Sequence, residues 1–171
     1  MNIEVFPDNR LQAAGRCFRC ALGASGVTRD KREGDKATPV GRFPLRHVFY
    51  RADRVSPPRT DLPVSPVQRQ DGWCDAPGDP RYNQFVTLPY AASHEALWRD
   101  DHVYDVIVVL GYNDAPPEPG RGSAIFMHVA RPGYAPTEGC VALALHDLEA
   151  VLADCRPGDT ITVHAAGSAE P

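Results

Sequence analysis

No apolar run in this 171-residue chain approaches the ~20 residues of a membrane span; the longest clean one is Val106-Ile107-Val108-Val109-Leu110. Positive charge is not in surplus either. The chain has 18 Lys and Arg against 22 Asp and Glu, a net charge of −4, and the signs are mixed along its length. The basic footprint of a nucleic-acid binder is therefore missing. A secretory leader needs an apolar stretch of ~7–15 residues after a basic start, yet Glu4, Asp8, Arg10, Arg16 and Arg19 interrupt every such window. The cysteines (Cys17, Cys20, Cys74, Cys140 and Cys155) are odd in number and cannot all pair within one chain. These absences lead us to expect a cytoplasmic protein with reduced thiols and no nucleic-acid, membrane or obligate protein partner. Metal signatures are also lacking. Zinc usually takes four ligands from two Cys pairs, but Cys17-Phe18-Arg19-Cys20 stands alone, and His47, His94, His102, His146 and His164 show no ligand spacing. Neither a metal nor a cofactor is expected, and no internal repeat is visible.

Proline (17) and glycine (14) are plentiful, which excludes an all-helical bundle. Alternating or apolar runs predict strands over 2–6, 16–23, 42–50, 102–112, 123–129 and 160–164. Pro44 marks the third of these as an edge strand or a bulge. The 102–112 run is apolar on both faces and belongs in the middle of a sheet. Leu145, Leu148 and Leu152 fall at i, i+3 and i+7, one amphipathic helix over about 144–154. Ser93 is expected to cap a short helix carrying Ala96, Leu97 and Trp98. Residues 51–81, with six prolines, read as a long irregular excursion. The sum is a mostly β, α+β domain over residues 1–165 with one main helix, followed by a tail at 166–171.

Chemistry concentrates near the C-terminal third. His128 sits on a predicted strand, and twelve residues later Thr137-Glu138-Gly139-Cys140 leads into the apolar run Val141-Ala142-Leu143, read as the approach to a helix. A histidine and a cysteine so placed can act as base and nucleophile: the imidazole takes the thiol proton, or holds the thiolate as an ion pair with its pKa lowered. Gly139 permits a tight turn and close approach of a substrate carbonyl. The amides of Gly139 and Cys140 can then face a developing oxyanion. Arg121 can hold a carboxylate bidentately. Ser123, Tyr112, Asn113 and Thr137 are further candidate substrate contacts, and Tyr134 and Pro136 candidate lid residues. Because His precedes Cys, the papain-like order does not fit.

At these residues the sequence resembles the L,D-transpeptidase catalytic domain, or YkuD, family. The Thr137-Glu138-Gly139-Cys140 block matches the family's Ser/Thr-x-Gly-Cys motif, and Gly34-Asp35-Lys36-Ala37-Thr38-Pro39-Val40-Gly41 its Gly-Asp-x-x-Thr-Pro-x-Gly turn. The resemblance spans about 15–165 and implies a β-sandwich-like catalytic domain with a long Pro-rich loop. It implies Cys140 as nucleophile, His128 as base, and the Gly139 and Cys140 amides as oxyanion donors. The implied substrate is a peptidoglycan tetrapeptide or muropeptide, cut between meso-diaminopimelate and D-Ala. Two departures stand out: Glu138 and Ala142 occupy positions where many members have His and Arg or Asn. The branch with a Trp-x-Asp … Tyr-Asn insert is closer, as in Trp73-Cys74-Asp75 and Tyr82-Asn83. Three functions follow as expectations. The first is a cytoplasmic L,D-carboxypeptidase of muropeptide recycling, favoured by the missing leader. The others are an exported transpeptidase forming 3→3 cross-links and a silent binding domain on the same scaffold.

Overall fold

The computed structural model describes residues 1–167. Strands β1 (Asn2–Phe6), β2 (Arg10–Ala13) and β3 (Arg16–Arg19) form an antiparallel meander. The β2–β3 turn places Ala14 at φ 48° and Gly15 at φ 72°, the two positive values a tight hairpin needs to match strand twist. Strands β4 (Val27–Thr28) and β5 (Thr38–Pro39) make a small parallel pair, and β6 is the long strand Gly41–Tyr50. Beyond it come β7 (Val64–Pro66), β8 (Asp71–Cys74), β9 (Phe85–Thr87), β10 (His94–Ala96) and β11 (Val106–Leu110). The chain closes with β12 (Phe126–Val129), β13 (Val141–Leu143), α1 (Leu145–Leu152) and β14 (Thr160–Val163).

Nine strands form the main sheet, in the order β13-β12-β11-β6-β14-β1-β2-β3, with β7 beside β6. Its two ends nearly meet: just past β3, Ala21 bridges Ala142 of β13, with backbone bonds of 2.7 and 2.9 Å. The result is a barrel-like sandwich with one α-helix among the described residues: the strand content and the helix agree with the sequence pattern, and the sandwich with what the resemblance implies. A second sheet, β10-β8-β9, packs over one face.

Alternation along β11 explains its unbroken apolar run. Val106, Val108 and Leu110 enter the core that α1 seals with Leu148, Val151 and Leu152, whereas Ile107 and Val109 enter a second core under β8–β10. On β12, Met127 and Val129 likewise face the first core, and Phe126 faces the second. Period-2 geometry therefore turns His128 toward the second side, where Cys140 also lies.

Several expectations are corrected. The 16–23 strand is shorter, ending as β3 at Arg19; 102–112 and 123–129 contract to β11 and β12. Strand β6 is interior, so Pro44, paired with Thr160 of β14, marks no edge; the register shift against β11 falls at Arg46, between His47 opposite Val109 and Leu45 opposite Leu110. Residues 51–81 are irregular for most of their length, as expected, but two short strands, β7 and β8, lie within them; Pro63 and Pro66 sit at or beside edge strand β7, where a missing N–H costs little. No helix follows Ser93. His94–Ala96 is β10, paired to β8 in the register Glu95↔Trp73, and this long-range ladder overrides the local capping signal. Val141–Leu143 is a strand, held between β12 and the Ala21 bridge, rather than a helix lead-in. Residues 168–171 of the expected tail lie outside the described residues. No helix among the described residues is long and apolar enough to cross a membrane.

Candidate active site

Strand β13 runs parallel to β12 with Met127↔Val141 and His128↔Ala142 in register, so Cys140, one residue before β13, stands at the Phe126 end of β12. Its thiol donates to the Ala124 carbonyl at 3.3 Å and accepts the Phe126 amide at 3.4 Å. Thr137 shapes the turn that presents it: Oγ1 donates to the Cys140 carbonyl at 2.7 Å and accepts the Gly139 amide at 3.1 Å. Gly139 has φ 135°, and a Cβ there would lie 2.9 Å from the Ala37 carbonyl oxygen. Thus the 34–41 turn packs directly on the Gly-Cys turn, which is why two motifs about 100 residues apart serve one place. Gly23 joins them, donating to Thr38 Oγ1 at 2.9 Å and bridging Thr137. Gly139→Ala is expected to cost about 1–3 kcal/mol of stability through backbone strain and collision, with activity falling further as the turn shifts; urea unfolding and turnover assays check both.

The His128 ring is buried beside Tyr104, ring centroids 5.4 Å apart at 70°. Its Nδ1–H donates to the Val129 carbonyl at 3.0 Å, which leaves Nε2 as the basic nitrogen. Burial lowers its pKa to about 4, with Arg131 and Arg99 acting in the same direction. Burial raises the Cys140 thiol to about 12, helped by the Glu95 charge. Both groups are therefore neutral at pH 7. Of the two expected modes these shifts favour the neutral pair over the ion pair, because desolvation penalises both charged forms. Among the described residues no hydrogen bond joins Sγ to the imidazole.

Both groups line one cleft of about 340 Å³. Around them stand Lys31, Lys36, Arg99 and Arg131, and also Glu33, Asp75, Glu95 and Glu138, so the walls carry both signs of charge. Ser123 and Thr137, candidate substrate contacts, line this cleft. Ser123 Oγ donates to Glu33 Oε2 at 2.8 Å. Arg121, Tyr112 and Asn113 are not among the lining residues. Arg121 pairs with Asp30 at 3.0 Å, and the Tyr112 hydroxyl donates to the Arg121 carbonyl. Asn113 ties its own loop through the Glu118 and Gly122 carbonyls at 3.0 and 2.9 Å. The Gly139 amide, expected to face an oxyanion, is engaged by Thr137. Tyr134 stacks under Arg19 at 4.4 Å and lines a neighbouring groove rather than covering the cleft. Among the described residues no group of three or more His, Cys, Asp or Glu side chains is placed to hold a metal ion.

Sequence reasoning missed Glu95, Tyr104, Arg99 and Arg131. The Trp73-x-Asp75 and Tyr82-Asn83 motifs were the available signal, and they prove to be the cleft's frame. Asn83 Oδ1 accepts from Trp73 Nε1 at 2.9 Å and from the Ala124 amide at 3.0 Å; its Nδ2 donates to the Tyr112 and Asn113 carbonyls at 3.0 and 2.7 Å. The Tyr82 hydroxyl donates to Glu33 and accepts the Gly122 amide at 3.0 Å. Asn83 thereby holds Ala124, whose carbonyl positions the thiol. Asn83→Ala leaves several buried partners unpaired, so a loss of roughly 2–4 kcal/mol in chemical unfolding is expected, with the Cys140 turn loosened.

The L,D-transpeptidase catalytic domain (YkuD) family model matches residues 2–163, and the chain belongs to that family. A solved structure, an L,D-transpeptidase from Mycobacterium smegmatis, is similar with 16% sequence identity and a TM-score of 0.46. That match covers 96% of this chain and 58% of the other, so this chain spans little more than half the length of that structure. A comparison with the curated proteins finds no match.

Proposed function

We propose that the protein is a cysteine-dependent L,D-carboxypeptidase that removes D-Ala from peptidoglycan tetrapeptides. The observation that carries this reading is the convergence of Cys140 and His128 on one cleft whose walls bear both signs of charge. Such walls suit a zwitterionic diamino acid followed by a free carboxylate. His128 Nε2 takes the thiol proton as Sγ attacks the diaminopimelate carbonyl. With a thiol near 12 and an imidazole near 4, that transfer accompanies C–S bond formation instead of preceding it. The Cys140 amide receives the oxyanion. The C–N bond then breaks, His128 returns the proton to the departing amine of D-Ala, and a thioester remains. Water attacks it with His128 as base, giving tripeptide acid and free thiol.

Arg131, which lines the cleft and makes no ion pair among the described residues, takes the terminal-carboxylate role expected of Arg121. A cleft of about 340 Å³ lies at the small end of ligand sites, room for the donor's reacting end and a water. A cytoplasmic setting goes with this reading, because soluble, dilute muropeptides make water the better acceptor. One feature favours transfer instead: an apolar groove of about 630 Å³, lined by Pro132, Tyr134 and Leu145, shares Val103 and Arg131 with the cleft. It is a place for an acceptor strand. Mass spectrometry of the protein incubated with a disaccharide tetrapeptide separates the readings. Tripeptide as the main product supports hydrolysis, a 3→3 dimer supports transfer, and unchanged tetrapeptide supports a silent scaffold.

A further inference from the structure

We propose that Tyr104 is a positioning residue for His128: its ring holds the imidazole in one orientation, and Glu95 clamps its hydroxyl. This rests on the reading of His128 as base given above. The imidazole needs such help. Its Nδ1–H bonds only the carbonyl of the adjacent residue, Val129, at 3.0 Å, and among the described residues no carboxylate hydrogen-bonds the ring. One neutral hydrogen bond contributes about 1 kcal/mol, too little alone to fix both the tautomer and the ring plane of a neutral histidine. Tyr104 supplies the missing constraint. It is buried, and its ring stands steeply inclined to two rings of β12, 5.4 Å from His128 at 70° and 6.0 Å from Phe126 at 73°. Period-2 alternation puts those two side chains on one face of the strand, so the tyrosine is seated against both. Its backbone is tied to the same place. The Val129 amide donates to the Val103 carbonyl at 3.1 Å, so the residue before Tyr104 fixes the residue whose carbonyl orients the imidazole.

The far end of the side chain is anchored too. The Tyr104 hydroxyl donates to Glu95 Oε1 at 2.5 Å. Glu95 is carried by β10 in register with Trp73 of β8, and the Trp73 ring meets Phe126 edge-on at 5.2 Å. The contacts therefore close a circuit through Glu95, Trp73, Phe126 and Tyr104, and the second sheet bears on the base through it. A ring wanted only for volume would do without a hydroxyl, since a buried phenol needs a partner. Here a carboxylate is held in the cleft to supply one, at a desolvation cost that raises its pKa. Burial also holds the Tyr104 phenol well above its ordinary pKa, so it stays a donor at every working pH.

The test compares D-Ala release by wild type, Tyr104→Phe, Glu95→Leu, Glu95→Gln and the Tyr104→Phe/Glu95→Leu double variant, with ¹⁵N NMR of histidine-labelled protein. Tyr104→Phe keeps the ring and loses the clamp; kcat is expected to fall about 10-fold while KM stays within about 2-fold. Glu95→Leu is expected to fall similarly, and the double variant no further than about 2-fold below either, because hydroxyl and carboxylate act through one bond. Glu95→Gln still offers an acceptor and is expected to recover most of the loss. The NMR spectrum of wild type is expected to show His128 as the single Nδ1–H tautomer, and that of Tyr104→Phe a mixture, with His128→Gln assigning the signals. An unchanged kcat in Tyr104→Phe, a loss confined to KM, additive losses, or Glu95→Gln as slow as Glu95→Leu overturns the proposal. If Glu95→Leu does not fold, Tyr104→Phe decides alone. If wild type releases no D-Ala, the carboxypeptidase reading fails, and the spectrum still decides: a single tautomer retained in Tyr104→Phe overturns the positioning role, and a mixture supports it.

Discussion

Replacing Cys140 by alanine is expected to stop D-Ala release, a loss on the order of 10⁴-fold or more, as when a covalent nucleophile is removed elsewhere. The fold is expected to survive. The thiol makes two contacts, a 3.3 Å bond to the Ala124 carbonyl and a 3.4 Å bond from the Phe126 amide. Both are weak sulfur bonds, and losing them with one buried sulfur costs about 1–2 kcal/mol. Near-ultraviolet circular dichroism and a thermal melt check the fold, and chromatography of released D-Ala checks the chemistry. A folded Cys140→Ala protein that still turns over tetrapeptide at the wild-type rate would show that another group attacks the carbonyl. Cys17→Ser, at an exposed position on β3, is the control expected to keep activity.

His128→Gln is expected to lose at least ~10²-fold in the chemical step, the low end for a general base. It also separates catalysis from stability. The folded imidazole has a pKa of about 4 against an ordinary value of 6.5. Between those values the unfolded chain binds a proton that the folded chain refuses. Stability from this group is therefore fully present above about pH 6.5 and is lost as pH falls toward 4, by about 3 kcal/mol in all. The wild type is expected to show this loss in urea unfolding at pH 7, 5.5 and 4, and His128→Gln to show less of it. For activity, the acid limb of kcat/KM is expected near pH 4 instead of near 6.5. A limb near 6.5 that vanished in the variant would mean that the imidazole is hydrated and that the ion-pair mode operates after all.

The parts of the fold visible in the sequence are those where one residue pattern has one packing answer. Val106–Leu110 is apolar on both faces because each face meets its own core. Leu148, Val151 and Leu152 form a single buried stripe on α1. The second sheet was hidden because β8, β9 and β10 have only 3–4 residues each and are held by pairings between distant segments. Their short length, with Pro77, Pro80 and Pro89 in the segments between them, reads locally as loop, and Ser93 as a helix cap. The same blindness affected the site. Cys140 and His128 could be named because a Gly-Cys turn and a strand histidine are themselves chemical patterns. Arg121 could not be excluded, since nothing local discloses its Asp30 partner. Glu95 was out of reach because only the β8–β10 ladder brings it to the cleft that Cys140 lines.

The central claim is that Cys140 carries the acyl group, and the direct measurement is the intact-protein mass after brief mixing with disaccharide tetrapeptide and acid quench. An adduct equal to the disaccharide tripeptide acyl group is expected, mapped to the Cys140 peptide, removed by neutral hydroxylamine and missing in Cys140→Ala. Tripeptide formed with no adduct at Cys140, and formed equally by Cys140→Ala, would contradict it.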